Sequence, residues 1–267
     1  MDATMKLDLP AALLDFAESW QKSYLWLRLG WFDIQQRFRR SVLGPLWITL
    51  TMAALIAGMG PLYALIFDLE LKTYLPYLAL GIILWGFIAT TTVESCSAFI
   101  AGAGVIRQTR LPLSSFVLRT VWRNLLVLAF NAVLILVVLL YAGLPSLARL
   151  AEAAGGLLIL AVGAIGSGLL IAIFCTRYRD MQQVIASLLQ VLMFLTPVFW
   201  RADQLPQRSL LIDWNPAYYF LEVVRAPLLG VDLPGRYYEI ASALAAGLCL
   251  AGLLLFARYR LRIVYWL

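Results

Sequence analysis

The chain has 267 residues, of which 63% are hydrophobic and only 13% charged. That is about half the charge of an ordinary soluble domain, so a soluble fold is excluded and a membrane protein is expected. The net charge of +6 reads as an orientation signal in such a chain, and no nucleic-acid partner is expected.

Crossing a hydrocarbon core about 30 Å thick takes roughly 20 apolar helical residues. Six runs are candidates: Leu43 to Phe67, Tyr74 to Ile100, Val121 to Tyr141, Ala153 to Cys175, Val184 to Trp200 and Ile240 to Ala257. The last two are short, and Thr196-Pro197 interrupts the end of the fifth. The runs are continuous and rich in Leu, Ala and Ile, unlike the alternating segments of an outer-membrane barrel. The expected fold is all-α integral membrane, with residues 1–41 forming an N-terminal cytoplasmic segment and residues 42–267 a six-span domain.

Ahead of the first run, Trp20, Tyr24, Leu27, Trp31, Ile34 and Phe38 recur at helical spacing and define one face. An amphipathic helix lying in the membrane interface is expected there. It leads into RFRRSVLGPLW, Arg37 to Trp47, where Gly44-Pro45 marks the elbow into the first span. The first forty residues carry acids and bases throughout and lack a compact apolar core, so no cleaved signal is expected.

The segment Ala101 to Phe116 is too polar to cross. It reads either as a brief helix from Val105 to Arg110, closed by Leu111-Pro112, or as a plain connector. In TRYRDMQQ, Asp180 is a candidate N-cap for the fifth span. Arg177 and Arg179 are either phosphate-seeking cations or stop-transfer charges. Gly163, Ala164, Ser167 and Gly168 give the fourth span two small-xxx-small pairs, with the partner helix left open.

Between the fifth and sixth spans, NPAYYFLEVVRAPLLG is half apolar but too short to cross. A reentrant helix from Pro216 to Leu229, dipping back into the membrane, is expected. Trp200, Trp214, Tyr218, Tyr219, Tyr237 and Tyr238 cluster around it. They form either an interfacial aromatic belt or a stacking surface for sugar rings. Intramembrane polar residues are few: Glu94, Asn131 and Gln190. Glu94 is expected to pair with Arg119 or Arg123, or to snorkel to the interface. So few ionisable groups give little support to a proton- or sodium-coupled carrier.

Most of the 21 lysines and arginines fall on one side if both termini are cytoplasmic. These are the six before the first span, then Arg107, Arg110, Arg119 and Arg123, then Arg177 and Arg179, then Arg258, Arg260 and Arg262. That bias places both termini inside. Asp68, Glu70, Glu152, Asp203, Asp213, Glu222, Asp232 and Glu239 fall outside, which carries little weight of its own. Cys96, Cys175 and Cys249 lack metal-ligand spacing and histidine is absent. No metal site and no catalytic residue are therefore expected.

Taken in order around six spans, RFRRSVLGPLW, IRQTRLP, the RYRD of Arg177 to Asp180 before FLTPVFW, and Asn215-Pro216 followed by Arg225 resemble the polysaccharide-exporting branch of the ABC-2 type permeases. These are the membrane subunits that export O-antigen, capsular polysaccharide or teichoic acid. The resemblance covers nearly the whole chain. It implies a homodimer in the bacterial inner membrane, paired with two copies of a separate ATPase subunit and moving a lipid-linked polysaccharide, with periplasmic export components as further candidate partners. No GxxxxGK[ST] occurs, so ATP and Mg are expected on the partner subunit and no cofactor on this chain.

By the same resemblance, Val105, Ile106, Arg107, Gln108, Thr109, Arg110, Leu111 and Pro112 would form the ATPase-coupling segment. Arg37, Arg39 and Arg40 would meet the lipid phosphate, and Trp200, Trp214, Tyr218 and Tyr219 would line the glycan channel. Two rival readings stay open. One is an ABC-2 permease for a small lipophilic compound, and the other an integral-membrane enzyme acting on lipid-linked sugars.

Overall fold

The computed structural model describes residues 8–202 and 210–267. Asp203 of the acidic set above and Lys6 of the basic one lie outside them. Among the described residues the chain is helical, with no strand.

In chain order the helices are α1 (Leu9–Gln21), α2 (Ser23–Arg37), α3 (Leu46–Ile66), α4 (Leu71–Cys96), α5 (Ala98–Ala101), α6 (Ala103–Gln108), α7 (Ser114–Ala142), α8 (Leu147–Arg177), α9 (Met181–Leu195), α10 (Leu210–Asp213), α11 (Pro216–Leu228) and α12 (Gly235–Trp266). Five of them, α3, α4, α7, α8 and α12, are long and apolar enough to cross a membrane. They correspond to the first four predicted runs and the sixth.

The fifth run is shorter than expected. α9 has 15 residues, roughly 22 Å of helix, and stops at Leu195 where the prediction extended to Trp200. The physical reason is Pro197, which drives Thr196 out of helical geometry, to φ −90° and ψ 136°. Asp180 occupies the N-cap position of α9 but makes no side-chain capping bond there.

The single N-terminal helix expected is two, broken at Lys22. Trp26, Gly30 and Ile34 are buried, while Trp20, Tyr24, Trp31 and Phe32 of the same segment are exposed. Of the face that spacing defined, Ile34 packs inward, while Trp20, Tyr24 and Trp31 lie outside the chain's own core. Gly30 fixes the packed side. A Cβ there would sit 2.7 Å from the Trp122 ring, so α2 lies against α7.

Ends are set by local chemistry. Asp8 accepts from the Ala11 N–H at 3.1 Å at the start of α1, and Asn215 Oδ1 accepts from the Ala217 N–H at 3.0 Å at the start of α11. The elbow before α3 contains Arg40 at φ 72° and Gly44 at φ 56°, and the Gly44 N–H donates to Ser41 Oγ at 3.1 Å.

α8 is the organising helix. Gly166 approaches α12 so closely that a Cβ would lie 2.5 Å from the Cys249 backbone nitrogen, and Gly252 returns the approach toward the Gly166 carbonyl. Of the small residues anticipated, Gly163 faces Phe220 of α11 and Gly168 faces Ser95 of α4, so both partners are in the same chain. α4 is buried over most of its length, whereas α9 contains no buried residue.

Candidate functional site

Two polar assemblies stand at opposite ends of the bundle. At the end that holds the termini, α6 is six residues long and lies between α5 and α7. It begins at Ala103 and ends at Gln108, two residues before the expected Arg110. Thr109 is already extended, and its Oγ1 donates to the Val105 carbonyl at 2.8 Å, closing the helix before Leu111-Pro112 is reached. Ile106 is buried as the anchor, while Val105, Arg107, Gln108, Thr109 and Arg110 are exposed. Leu111 is half-buried and Pro112 buried.

Behind α6, the start of α7 is fastened to α1 by Asp15. This buried carboxylate accepts from the Leu113 N–H at 3.0 Å, from the Ser114 N–H at 2.9 Å and from Ser114 Oγ at 2.6 Å. An anion at a helix N-terminus meets unpaired N–H groups and the positive end of the macrodipole. Ser19, one turn along α1, is 2.6 Å from the same Ser114 hydroxyl. Sequence reading missed Asp15. The available signal was Ala12, Asp15 and Ser19 on one helical face. At the α1–α2 junction, the hydrogen bond from Lys22 to Glu18 raises the lysine pKa above its ordinary value.

The charges of α2, α4 and α7 form one network. Asp33 accepts from Arg119 Nε at 2.8 Å and from Arg123 Nη1 at 2.9 Å, with a second bond to Arg119. Glu94 accepts from Arg123 Nη2 at 2.8 Å and from Asn124 Nδ2 at 2.7 Å. The predicted partnership of Glu94 thus falls to Arg123, and Arg119 belongs to Asp33. Of the three arginines assigned to the lipid phosphate, Arg37 ends α2 with its Nη2 3.4 Å from Glu94. Arg39 and Arg40 are exposed on the turn that follows. Arg177 of RYRD places its guanidinium 5.3 Å from the Tyr178 ring centre and 5.2 Å from that of Trp266, tying this turn to the end of α12.

At the other end, the chain unwinds between α9 and the segment leading to α10. Its carbonyls, no longer bonded within a helix, need partners, and specific side chains supply them. Tyr74 OH donates to the Phe199 carbonyl at 2.5 Å, Tyr77 OH lies 3.0 Å from the carbonyls of Pro197 and Trp200, and Asn215 Nδ2 donates to Thr196 Oγ1 at 2.8 Å. Arg225, fully buried on α11, donates from Nη1 to the Pro197 carbonyl at 2.7 Å and from Nη2 to Glu222. Its guanidinium stands 3.9 Å from the Tyr77 ring centre. Gly81 admits it, since a Cβ there would lie 3.3 Å from Nη1. Sequence reading noted Arg225 only by resemblance; the signal present was Glu222 and Arg225 three apart in an apolar stretch.

The four aromatic residues expected along a glycan path are divided. Trp214 is 83% exposed, Trp200 is half-buried with its Nε1 donating to the Phe194 carbonyl at 3.1 Å, and Tyr218 and Tyr219 are buried in a ring cluster with Tyr237. Two clefts open here. One of about 480 Å³ is walled by Trp214, Tyr219 and Arg236. The other, about 780 Å³, includes Tyr77, Tyr218 and Glu222 in its wall.

Residues 24–229 match the family model of the ABC-2 type transporter. Two proteins of Klebsiella pneumoniae, each named O-antigen export system permease protein RfbA, are 26% and 23% identical over 236 residues, covering 86% of this chain and 90% of theirs. The matched span runs from α2 to the end of α11 and takes in α6 and the buried Arg225, and the chain belongs to the ABC-2 type transporter family.

Proposed function

We propose that the chain is the transmembrane subunit of an ATP-driven exporter that carries a lipid-linked polysaccharide from the cytoplasm across the bacterial inner membrane. α6 carries the proposal. It is a short helix whose buried Ile106 roots it in the bundle while Val105, Arg107, Gln108 and Arg110 stand exposed for a partner. Such an element transmits a push because α7, directly behind it, is tied to α1 through Asp15. ATP and Mg belong to two copies of the partner, and two copies of this chain enclose the path.

In this reading α9 and its unwound continuation complete a sixth crossing, α11 is a reentrant helix on the outer side, and both termini are cytoplasmic. Arg37, Arg39 and Arg40 then stand at the entrance, where guanidinium groups pair with the phosphate of the lipid carrier. The polysaccharide as cargo rests on the names of the two relatives and on the aromatic residues around α11.

The test is ATP hydrolysis by the chain co-expressed and co-purified with the ABC ATPase subunits of the same cells, with and without alanine at Arg107, Arg110 and Leu111. The expected result is stimulated hydrolysis that collapses in the variant while the complex stays assembled. A chain that recruits no ATPase overturns the proposal. Glutamine at Arg37, Arg39 and Arg40 is expected to weaken capture of lipid-linked substrate, and unchanged capture would remove their role.

A further inference from the structure

The larger cleft at the α11 end is lined by residues that the export reading leaves without a role, Glu70, Lys72 and Asp232 among them. It is formed within one copy of the chain, by the start of α4, the end of α7, α11 and the turn before α12. Its volume, about 780 Å³, falls within the roughly 300–1,000 Å³ of sites that hold ligands of several rings.

The chemistry of its wall is mixed. Carboxylates come from Glu70, Glu222 and Asp232, and cations from Lys72 and Arg201. Tyr77, Tyr218 and Tyr237 supply ring surface between them. Glu222 is paired with Arg225, and Asp232 shares Arg149 with Glu152, so the charges around the cleft balance: an anion such as phosphate meets no surplus of cations, and an apolar ligand would desolvate the charges for nothing in return. A neutral molecule dense in hydroxyls suits this wall, since each hydroxyl both donates to a carboxylate and accepts from a lysine or arginine. Glu222 is 9% exposed and already holds Arg225, so the wall is rigid where the ligand would touch it.

We infer that this cleft is a saccharide-binding site for a short neutral stretch of glycan, formed within a single copy of the chain. The inference rests on the export reading for its supply of glycan on that side. It also gives Glu222 a second role. A sugar hydroxyl donating to its carboxylate draws on the same group that holds Arg225, and Arg225 holds the Pro197 carbonyl at the end of α9. Occupancy of the cleft is thereby linked to the unwound segment.

The test uses the permease–ATPase complex in lipid nanodiscs. The probes are neutral trisaccharides cut from the delipidated surface polysaccharide of the cells that make this chain, with binding read by saturation-transfer NMR. Two variants avoid the buried machinery: Lys72→Ala, at an exposed position, and Val231→Trp, which fills the cleft from a rim residue 54% exposed. Binding in the millimolar range is expected, weakened about tenfold by Lys72→Ala and lost in Val231→Trp, with basal ATP hydrolysis unchanged in both.

Absence of trisaccharide binding to the wild-type complex, or equal binding to Val231→Trp, overturns the site. Displacement of the sugar by inorganic phosphate overturns the choice of a neutral ligand. A complex that exports yet binds no sugar here loses only this inference. A chain that recruits no ATPase but binds the sugar loses only the export reading.

Discussion

Replacing Arg225 by Met removes the charge while keeping much of the side chain's length and apolar bulk. In the native fold this guanidinium satisfies the Pro197 carbonyl at 2.7 Å, pairs with Glu222 and stands 3.9 Å from the Tyr77 ring centre. The variant leaves a carboxylate that is only 12% exposed without its cation and takes a donor from a carbonyl in the unwound segment. Breaking a buried ion pair from one side costs about 3–5 kcal/mol. Most of that is the stranded charge, so Glu222→Gln added to Arg225→Met is expected to recover about 1–3 kcal/mol.

Reversible unfolding in mixed micelles, read by tryptophan fluorescence, measures both variants, and the double-mutant cycle isolates the pair. Local opening is expected at the same place, as faster labelling of a cysteine introduced at Phe199. An Arg225→Met chain within about 1 kcal/mol of the wild type, or a double variant no more stable than the single one, would refute the assignment of this pair as the clamp on the α9 break.

Gly166→Ala places a methyl 2.5 Å from the Cys249 backbone nitrogen, where only helix separation relieves it. A loss of about 1–3 kcal/mol is expected in the same unfolding assay, and none would contradict the close α8–α12 contact. Asp15→Asn keeps the size but cannot accept from both backbone N–H groups that Asp15 now serves. Hydrogen exchange at Leu113 and Ser114 should rise about tenfold or more, and unchanged protection would argue that α1 does not cap α7. Asp33→Asn leaves Arg119 and Arg123 facing each other with one acid fewer. The groups are partly exposed, so the loss should be about 1 kcal/mol or less. The clearer readout is earlier tryptic cleavage at Arg28 and Arg37 as α2 lifts from α7.

The path of the N-terminal segment shows how one stretch of helix can carry two apolar faces. The spacing of Trp20, Tyr24, Leu27, Trp31, Ile34 and Phe38 fits a helix, and helices do occupy the segment. Burial within the chain follows Trp26, Gly30 and Ile34, because α7 offers Trp122, whose ring needs the space above a glycine, and of the spaced set Trp20, Tyr24 and Trp31 stay exposed. Nothing within residues 20–38 states that requirement. The same holds for the fourth span. Its glycines were visible as a surface for close approach, yet the tightest approaches are made by Gly156, against the Val223 carbonyl of α11, and by Gly166, against α12, both outside the pairs that pattern alone selected.

Composition settled the solvent of this protein. Apolar runs of about 20 residues form helices there because each helix satisfies its own backbone locally, and Pro197 ends α9 because its ring restricts the residue before it. Those effects act within a few positions and can be read along the chain. Which polar groups meet is decided at longer range: Asp15 and Ser114 are separated by 99 positions and Arg225 and Pro197 by 28. A charge in an apolar segment announces that it needs a partner. Only the packing of α1 on α7, and of α11 on the first half of α4 beside the turn after α9, brings that partner within reach.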